Sequence, residues 1–228
     1  MSPSTLFFSL LGGVLPALFW LWFWLREDRL HPEPRSLVVL SFMWGMLVVL
    51  FALPLEQRIW NIATSMTWAI IGWAIIEEVL KFIASYFGAL RNRANDEPID
   101  SLIYLITAAL GFAALENTLF LSGVFTKGGF VDGIDLGVLR FVGASLLHVV
   151  SSGTLGFFLA IGFYRRGKIK KIDAGIGLLA AIGLHALFNL FILKSDGNSL
   201  HTFTVFMFVW LAVILLLVGF EKVKQLKA

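Results

Sequence analysis

Residues 74 to 84 read Ala-Ile-Ile-Glu-Glu-Val-Leu-Lys-Phe-Ile-Ala, which places Glu77, Glu78 and Lys81 inside a long apolar run. That run, residues 60–90, is long enough to cross a bilayer as a helix, because about 20 apolar residues span the hydrocarbon core. A charged side chain at the centre of a span costs about 2.5–3.5 kcal/mol on insertion scales, so it usually faces a partner, water or a substrate path. The segment therefore predicts a membrane-spanning helix that carries a functional group.

The composition of the whole chain is that of a membrane protein. Of its 228 residues, 58% are hydrophobic and only 14% are charged, and the mean hydropathy is +0.86. Soluble domains contain about 25% charged residues. The absence of cysteine excludes disulfides, thiolate metal ligands and a cysteine nucleophile, so any chemistry must come from oxygen and imidazole groups. The formal charge of +3 does not indicate nucleic acid, because basic residues in membrane proteins mainly set orientation.

Apolar runs separated by polar breaks predict an all-α fold, a polytopic bundle of about seven transmembrane helices. Residues 1–228 are expected to form a single transmembrane domain, with the catalytic helices within about residues 60–194. The first turns of the third span are polar enough to project from the bilayer. The predicted spans are residues 5–25, 36–55, 60–90, 99–121, 138–164, 172–194 and 201–220.

The basic residues are distributed unequally between the two sides of such a bundle. Thirteen follow the first, third, fifth and seventh spans, whereas four lie on the other side: Arg58, Lys127, Arg140 and Lys194. Since cytoplasmic loops carry the excess of lysine and arginine, the N-terminus is predicted outside and the C-terminus in the cytoplasm. The thirteen are Arg26, Arg29, Arg35, Arg91, Arg93, Arg165, Arg166, Lys168, Lys170, Lys171, Lys222, Lys224 and Lys227.

Lys81 can compensate one of the two carboxylates that precede it. It follows Glu77 by four residues and Glu78 by three, so its ammonium can reach either carboxylate on one helix face. One carboxylate of the pair is then left without a counter-charge, and such a group is suited to serve as a general base.

Three further predicted spans carry polar residues away from the loops. Glu116 and Asn117 lie in the fourth span, His148 in the fifth, and His185 with Asn189 in the sixth. His185 and Asn189 are four residues apart and therefore share a helix face. At a rise of about 1.5 Å per residue, these groups and the glutamate pair fall in one layer in the outer half of the membrane. The spans are expected to gather them around a reactive or transport site open to the outside.

Two kinds of hydrolytic centre fit this set of residues. A glutamate can take a proton from water while histidine and asparagine side chains stabilise the developing oxyanion. Alternatively, Glu77, Glu78, His148 and His185 offer ligands for Zn²⁺, which would lower the pKa of its bound water to about 7. The residues leave both alternatives open. Neither a His-Glu-x-x-His nor a Gly-x-Ser-x-Gly motif is present, so zincin and serine-hydrolase mechanisms have no support.

Taken in order along successive spans, these motifs resemble the PrsW family of intramembrane proteases, which is distantly similar to CAAX prenyl proteases and bacteriocin-processing enzymes. Residues 26–34 also look like the acidic Glu-Pro loop of that family, and the resemblance covers roughly residues 20–195. Two positions depart from the family pattern, because Leu115 replaces the usual aromatic residue before Glu-Asn and Phe120 replaces a tyrosine after it. The matching motifs are Glu77-Glu78-x-x-Lys81, Glu116-Asn117, His148 with the small and hydroxyl residues after it, and His185-x-x-x-Asn189.

The resemblance implies an intramembrane endopeptidase of a bacterial or archaeal cytoplasmic membrane. Its expected partners are membrane lipids and a single-span membrane protein substrate, such as a membrane-anchored anti-sigma factor cut on its extracytoplasmic side. By correspondence of motifs, Glu77 would activate water, Glu78 would be its electrostatic or ligand partner, and Asn189 would orient the reactants. His148 and His185 would supply oxyanion or metal contacts. The expected catalytic set is completed by Lys81, Glu116 and Asn117.

Two functions of other classes fit the same residues. One is a non-catalytic membrane scaffold, because the wider superfamily resembles a scaffold subunit of gamma-secretase; a scaffold would tolerate loss of the glutamates. The other is a proton-coupled transporter with Glu77, Glu78 and Glu116 as a relay, but no inverted repeat or Gly/Pro-broken helix pair is evident in the sequence. The complete glutamate pair favours the enzyme.

Overall fold

The computed structural model describes residues 2–29, 31–127, 129–195 and 199–226. Leu30 of the acidic loop and Lys227, one of the basic residues assigned to the cytoplasmic side, lie outside the described residues. All regular structure among the described residues is helical, as predicted. The helices are α1 (Pro3–Leu25, continued by a 3₁₀ turn, Arg26–Asp28), α2 (Arg35–Ile62), α3 (Met66–Ser85, continued by a π-helical turn, Tyr86–Leu90), α4 (Pro98–Lys127), α5 (Phe130–Leu139, followed by a π-helical turn, Arg140–Ala144), α6 (Ser145–Ile161), α7 (Lys168–Ser195) and α8 (Ser199–Val223).

The described residues include seven helical segments of membrane-spanning length. Six are also apolar enough to cross a membrane by composition: Pro3–Asp28, Arg35–Ile62, Pro98–Lys127, Phe130–Ile161, Lys168–Ser195 and Ser199–Val223. The seventh, α3, holds Glu77, Glu78 and Lys81, whose exposed fractions are 5%, 1% and 0%. These charged side chains face protein rather than lipid, so they do not prevent α3 from crossing the membrane. We therefore count α3 as the seventh span. The prediction of an all-α bundle with about seven spans is confirmed, and the sides on which the termini lie stay predictions.

Helix α4 is the centre of the bundle, with α1, α2 and α6 packed around it. Of its span, 94% is buried, compared with 28% for α1. Glycines allow α2 to approach it closely: a Cβ at Gly45 would overlap the carbonyl oxygen of Ala108, and one at Gly111 would overlap that of Phe42. Small residues commonly permit such contact between membrane helices. This crossing fixes the position of α4, and therefore of the functional residues farther along it.

Replacing Gly111 with alanine is expected to lower the stability of the protein, because the added methyl group would overlap the Phe42 carbonyl, which is part of a helix and cannot turn aside. Overpacking of this kind costs about 1–3 kcal/mol. The matched control is Gly123→Ala on the same helix, since nothing lies within 4 Å of that Cβ position. Thermal unfolding in detergent measures the difference. Equal melting temperatures for the two variants would contradict the close crossing of α2 and α4.

The boundary between the second and third spans differs from the prediction. Helix α2 continues to Ile62 and α3 begins at Met66, so the predicted spans 36–55 and 60–90 were divided at the wrong place. The reason is local, because Ser65 caps α3: its side chain accepts a hydrogen bond from a backbone N–H in the first turn. The polar residues expected in the first turns of the third span therefore form the end of α2 and a short link.

The fifth predicted span, 138–164, starts too late. Helical structure begins at Phe130, where the glycines and aspartates of α5 are typical of a loop in sequence. The π-helical turn then joins α5 to α6. Arg140, assigned to an outer loop from the sequence, lies in this turn, and only 15% of its side chain is exposed. This correction adds a largely buried cation to the interior of the bundle.

Candidate active site

The Lys81 ammonium is the buried cation at the centre of the site. Nζ donates hydrogen bonds to Glu78 Oε1 and to His148 Nδ1, each at 2.7 Å, and lies 3.3 Å from Glu77 Oε2. It also lies over the ring of Phe112, 4.7 Å from the centroid. The lysine therefore connects both glutamates of α3 to the histidine of α6, and its charge offsets part of theirs.

The Glu78 carboxylate accepts four hydrogen bonds from protein side chains. Its Oε1 accepts from Lys81, from Ser151 at 2.9 Å and from His185 Nδ1 at 2.7 Å, while Oε2 accepts from Ser152 at 2.9 Å. The serines lie three and four residues after His148, on the face of α6 that meets α3. A buried carboxylate held by four donors is a positioning group, and Glu78 is not part of the cavity wall that a reactant would reach.

Glu77 has the opposite environment. Only 5% of the residue is exposed, yet its Oε2 has no hydrogen-bond partner. That oxygen lies 3.7 Å from His185 Nε2 and 3.8 Å from His148 Nδ1, and the side chain lines a cavity. A buried carboxylate oxygen without a partner is costly unless water or a cation completes its contacts. Of the two adjacent glutamates, Glu77 is therefore the one available for chemistry.

The hydrogen bonds of His185 define its tautomer. Its Nδ1 lies 2.7 Å from Glu78 Oε1, and an ionised carboxylate only accepts, so Nδ1 carries the proton. In the neutral ring, Nε2 is then unprotonated, and it is this nitrogen that faces Glu77. A carboxylate that holds one imidazole nitrogen while the other remains free is the usual support of a histidine metal ligand.

His148 is held by two partners. Its Nδ1 accepts a hydrogen bond from Lys81, because an ammonium group only donates. The proton therefore lies on Nε2, which donates to Glu116 Oε2 at 3.2 Å. The ring stands edge-on to that of His185, with centroids 5.3 Å apart. These contacts orient the Nδ1 edge of His148 towards Glu77.

Arg140 joins the predicted pair on α4 to the rest of the site. Its guanidinium donates to Glu116 Oε2 and to Asn117 Oδ1. The amide of Asn117 donates in turn to Ser145 Oγ at 3.0 Å. The guanidinium also lies over the ring of Phe120, 4.1 Å from the centroid. Glu116 thus bridges Arg140 and His148, whereas Asn117 bonds to Arg140 and Ser145, at the two ends of the π-helical turn.

A cavity of about 460 Å³ gives access to these groups. Its wall includes Met66, Ile70, Trp73 and Glu77, which form one stripe along α3 that starts at the first residue of the helix. Asn189, four residues after His185, is half-buried and lies on the same wall. The cavity therefore runs from the end of the bundle where α3 begins down to the glutamate, over about 16 Å of helix.

The residues around Glu77 fit a zinc ion. Glu77, His148 and His185 each offer one ligand atom, and these atoms lie within 4.8 Å of one another. Two histidines and a carboxylate form the protein ligands of many catalytic zinc sites, and ligands of a tetrahedral zinc lie about 3.4 Å apart. The separations of 3.7 and 3.8 Å from the unpartnered Glu77 oxygen are close to that value. Glu78, the fourth ligand candidate, instead holds His185 and Lys81.

Two features of the site were not predicted from the sequence: the presence of Arg140 and the hydrogen bonds that the two serines of α6 donate to Glu78. Arg140 precedes His148 by eight residues, a spacing that places two residues near one another on a continuous helix face. Both residues fall in the predicted span 138–164, but Arg140 lies near its start and was counted among the basic residues of the outer side. Ser151 and Ser152 belong to the hydroxyl residues after His148 that the sequence motif includes, but their hydrogen bonds to Glu78 depend on how α3 and α6 pack.

Comparison with known proteins agrees with the motifs. The model of the PrsW family, described as intramembrane metalloproteases, matches residues 33–218. Among similar proteins, Protease PrsW of Geobacillus kaustophilus (strain HTA426) is 26% identical, with 96% of this chain and 93% of the relative covered. Protease PrsW of Oceanobacillus iheyensis is 27% identical over 89% and 91%, and that of Bacillus subtilis (strain 168) is 25% identical over 87% and 89%. No solved structure matches this chain. Because the family model covers most of its length, the chain belongs to the PrsW family of intramembrane proteases and is a membrane protease.

Proposed function

We propose that this protein is an intramembrane endopeptidase that hydrolyses a peptide bond of a single-span membrane protein, with Glu77 taking the proton from the attacking water. The observation that carries the proposal is the unpartnered Glu77 oxygen, which lies between two imidazoles on the wall of the cavity. A carboxylate in this position can accept a proton from water and pass it to the leaving amine.

The other side chains have positioning and electrostatic roles in this proposal. Glu78 holds His185 in one tautomer, and Lys81 stabilises the negative charge on Glu77. Asn189 lies on the cavity wall, where its amide can donate to the carbonyl oxygen of the peptide as negative charge develops there. Arg140 fixes Glu116, and through it the ring of His148.

We further propose that Glu77, His148 and His185 hold Zn²⁺, with Glu77 as a ligand through Oε2. The proton of the water would then pass to the second oxygen of Glu77, Oε1. A bound Zn²⁺ would polarise the peptide carbonyl and lower the pKa of its water to about 7. His185 Nε2 and Glu77 Oε2 are already free of hydrogen bonds to protein. His148 joins them through Nδ1 when Lys81 gives up that bond, and the lysine keeps Glu78 as its partner.

The proposed setting is a bacterial or archaeal cytoplasmic membrane with the N-terminus outside. In this orientation the start of α3 faces the extracytoplasmic side, because α3 is the third span. The cavity mouth, lined by Glu56, Met66 and Trp73, then admits water and substrate from outside. A membrane-anchored anti-sigma factor cut near the outer end of its span is a substrate of the required kind.

Cleavage in proteoliposomes, combined with metal analysis, tests this proposal. The purified protein is expected to cut a single-span substrate near its outer boundary and to contain zinc. Removal of the metal by a chelator is expected to reduce the rate at least about tenfold, and added Zn²⁺ to restore it. His185→Ala should also lose bound zinc, whereas His31→Ala, at an exposed position, should keep it.

Two results would count against the proposal in different ways. Full activity of a zinc-free preparation would overturn the metal assignment and leave Glu77 as the sole activator of water. Absence of cleavage, with a partner protein that binds equally well after Glu77→Gln, would contradict the enzyme and support a scaffold.

A further inference from the structure

Three carboxylates meet at the end of the bundle opposite the cavity mouth. Asp28 ends the 3₁₀ turn after α1, Glu33 lies in the link to α2, and Asp100 lies in the first turn of α4. One oxygen of each lies within 4.8 Å of the others. Asp100 precedes Glu116 by 16 residues on α4, which corresponds to about 24 Å of helix. This cluster, named here the acidic clasp, is therefore separate from the active site.

Asp28 lacks any contact that would explain its burial. Only 6% of the residue is exposed, and its Oδ2 has no hydrogen-bond partner. A carboxylate in this state loses its hydration without replacement, which costs several kcal/mol unless a cation or a proton compensates it. One oxygen of Asp28 lies within 4.8 Å of an oxygen of each of the two other carboxylates, so a cation shared by all three would supply the missing contact.

The hydrogen bonds of the other two members come from groups without positive charge, and the carboxyl groups of Glu33 and Asp100 also interact with each other. Asp100 Oδ2 accepts from the backbone N–H groups of Asp96, at 2.8 Å, and Glu97, at 2.7 Å. Glu33 accepts from the hydroxyl of Tyr104. These contacts fix both carboxylates in place, as the ligands of a preformed site require.

Two neighbouring basic side chains, Lys224 and His31, are paired with carboxylates outside the acidic clasp. Lys224 Nζ lies 2.9 Å from Glu27 Oε2 and 2.6 Å from Glu221 Oε1, and His31 lies 3.0 Å from Glu97 Oε1. Within the described part of the chain, none of the ion pairs formed by lysine or arginine includes a member of the acidic clasp. The negative charge of the cluster is thus left for a ligand from solution.

A second cavity, of about 480 Å³, leads to the acidic clasp from the surface. Its wall includes Asp28, Arg26 and Tyr164, together with Lys224 near the end of α8. This cavity gives Asp28 a route to the aqueous phase on the predicted cytoplasmic side.

We propose that Asp28, Glu33 and Asp100 bind a hard divalent cation of the Mg²⁺ or Ca²⁺ type. Carboxylate-only ligation selects such ions over zinc, which prefers nitrogen and sulfur donors. The ion would tie the end of α1 and the link before α2 to the start of α4, the central helix. The acidic Glu-Pro loop of the sequence is then a structural cation site, and this assignment does not depend on the catalytic proposal.

Isothermal titration of the purified full chain with Mg²⁺ and, separately, with Ca²⁺ tests the site. It is performed above pH 8, because burial and the Asp100 carboxyl raise the pKa of Glu33 to about 8 and protons compete below it. Asp28→Asn and Glu33→Gln are each expected to weaken binding at least about tenfold. Glu27→Gln is the matched control, since Glu27 is adjacent in sequence but paired with Lys224. Binding should persist in Glu77→Gln, which separates this site from the active site.

The variants also give results that would overturn the proposal. Saturable binding of equal affinity in wild type, Asp28→Asn and Glu33→Gln would place the ion elsewhere. Failure of either ion to bind wild type, with a higher melting temperature for Asp28→Asn, would show that the cluster is held together by protons. If Asp28→Asn does not fold, Glu33→Gln keeps the test valid, because Glu33 is only half-buried and lies in a link.

Discussion

Replacing Glu77 with glutamine is expected to reduce peptide cleavage by about 10²–10⁴-fold while the protein still folds, because loss of a general base has an effect of this size. Glutamine has the same shape as glutamate but cannot accept a proton from water and binds zinc poorly. The substitution removes a charge whose oxygen has no hydrogen-bond partner, so little native bonding is lost. Cleavage of a single-span substrate in proteoliposomes measures the rate, and thermal unfolding checks the fold.

Glu56→Gln is the control for this experiment. Glu56 lines the same cavity near its mouth, on α2, and the substitution exchanges the same carboxyl group for the same amide. It should retain most of the activity, since water activation depends on the position between the two imidazoles. A loss in Glu56→Gln as large as that in Glu77→Gln would mean that any carboxyl group of the cavity is equally required, and the assignment of Glu77 as base would fail.

Replacing Lys81 with methionine is expected to destabilise the protein by about 3–5 kcal/mol, the usual cost of removing one partner from a buried ion pair. Lys81 is 0% exposed and is the cation that contacts Glu77 and Glu78. Methionine fills a similar volume but leaves both carboxylates without that charge and His148 Nδ1 without its donor. Unfolding in mixed micelles measures the loss.

Two comparisons separate this effect from a general loss of charge. Lys224→Met removes a lysine from ion pairs whose side chains are 25–64% exposed, and should cost less than about 1 kcal/mol. Adding Glu78→Gln to Lys81→Met should recover part of the stability but none of the activity, because Glu78 would no longer hold His185. Similar melting temperatures for Lys81→Met and Lys224→Met would show that water reaches the site freely in the folded protein.

Most of the helices could be predicted from sequence because a bilayer imposes a single length scale on apolar runs. The errors arose where composition and local structure disagree. Polar residues from Glu56 onward indicated the end of a span, yet α2 continues to Ile62 because one end of a membrane helix can project into water. The aspartates and glycines of α5 indicated a loop, although that segment is helical.

The residues that belong to the active site could be predicted from the sequence, but the hydrogen bonds between them could not. Glutamates and histidines in apolar runs stand out because such residues are costly there. The different roles of these residues depend on the rotation of each helix about its own axis. That rotation gives Glu78 four hydrogen bonds and leaves Glu77 Oε2 with none, although the two residues are adjacent and chemically identical.

The size of the cavity also limits the form in which a peptide can reach Glu77. An α-helix with side chains is about 10–12 Å wide, so a single turn fills about 420–610 Å³. The cavity holds about 460 Å³, which is room for one turn and no more. In the proposed reaction, we therefore expect a peptide bond presented to Glu77 to come from a segment that has lost its helical hydrogen bonds. Glycine, proline or a polar residue in the substrate's span would ease that unwinding, and we expect cleavage to favour such weak points of the substrate helix.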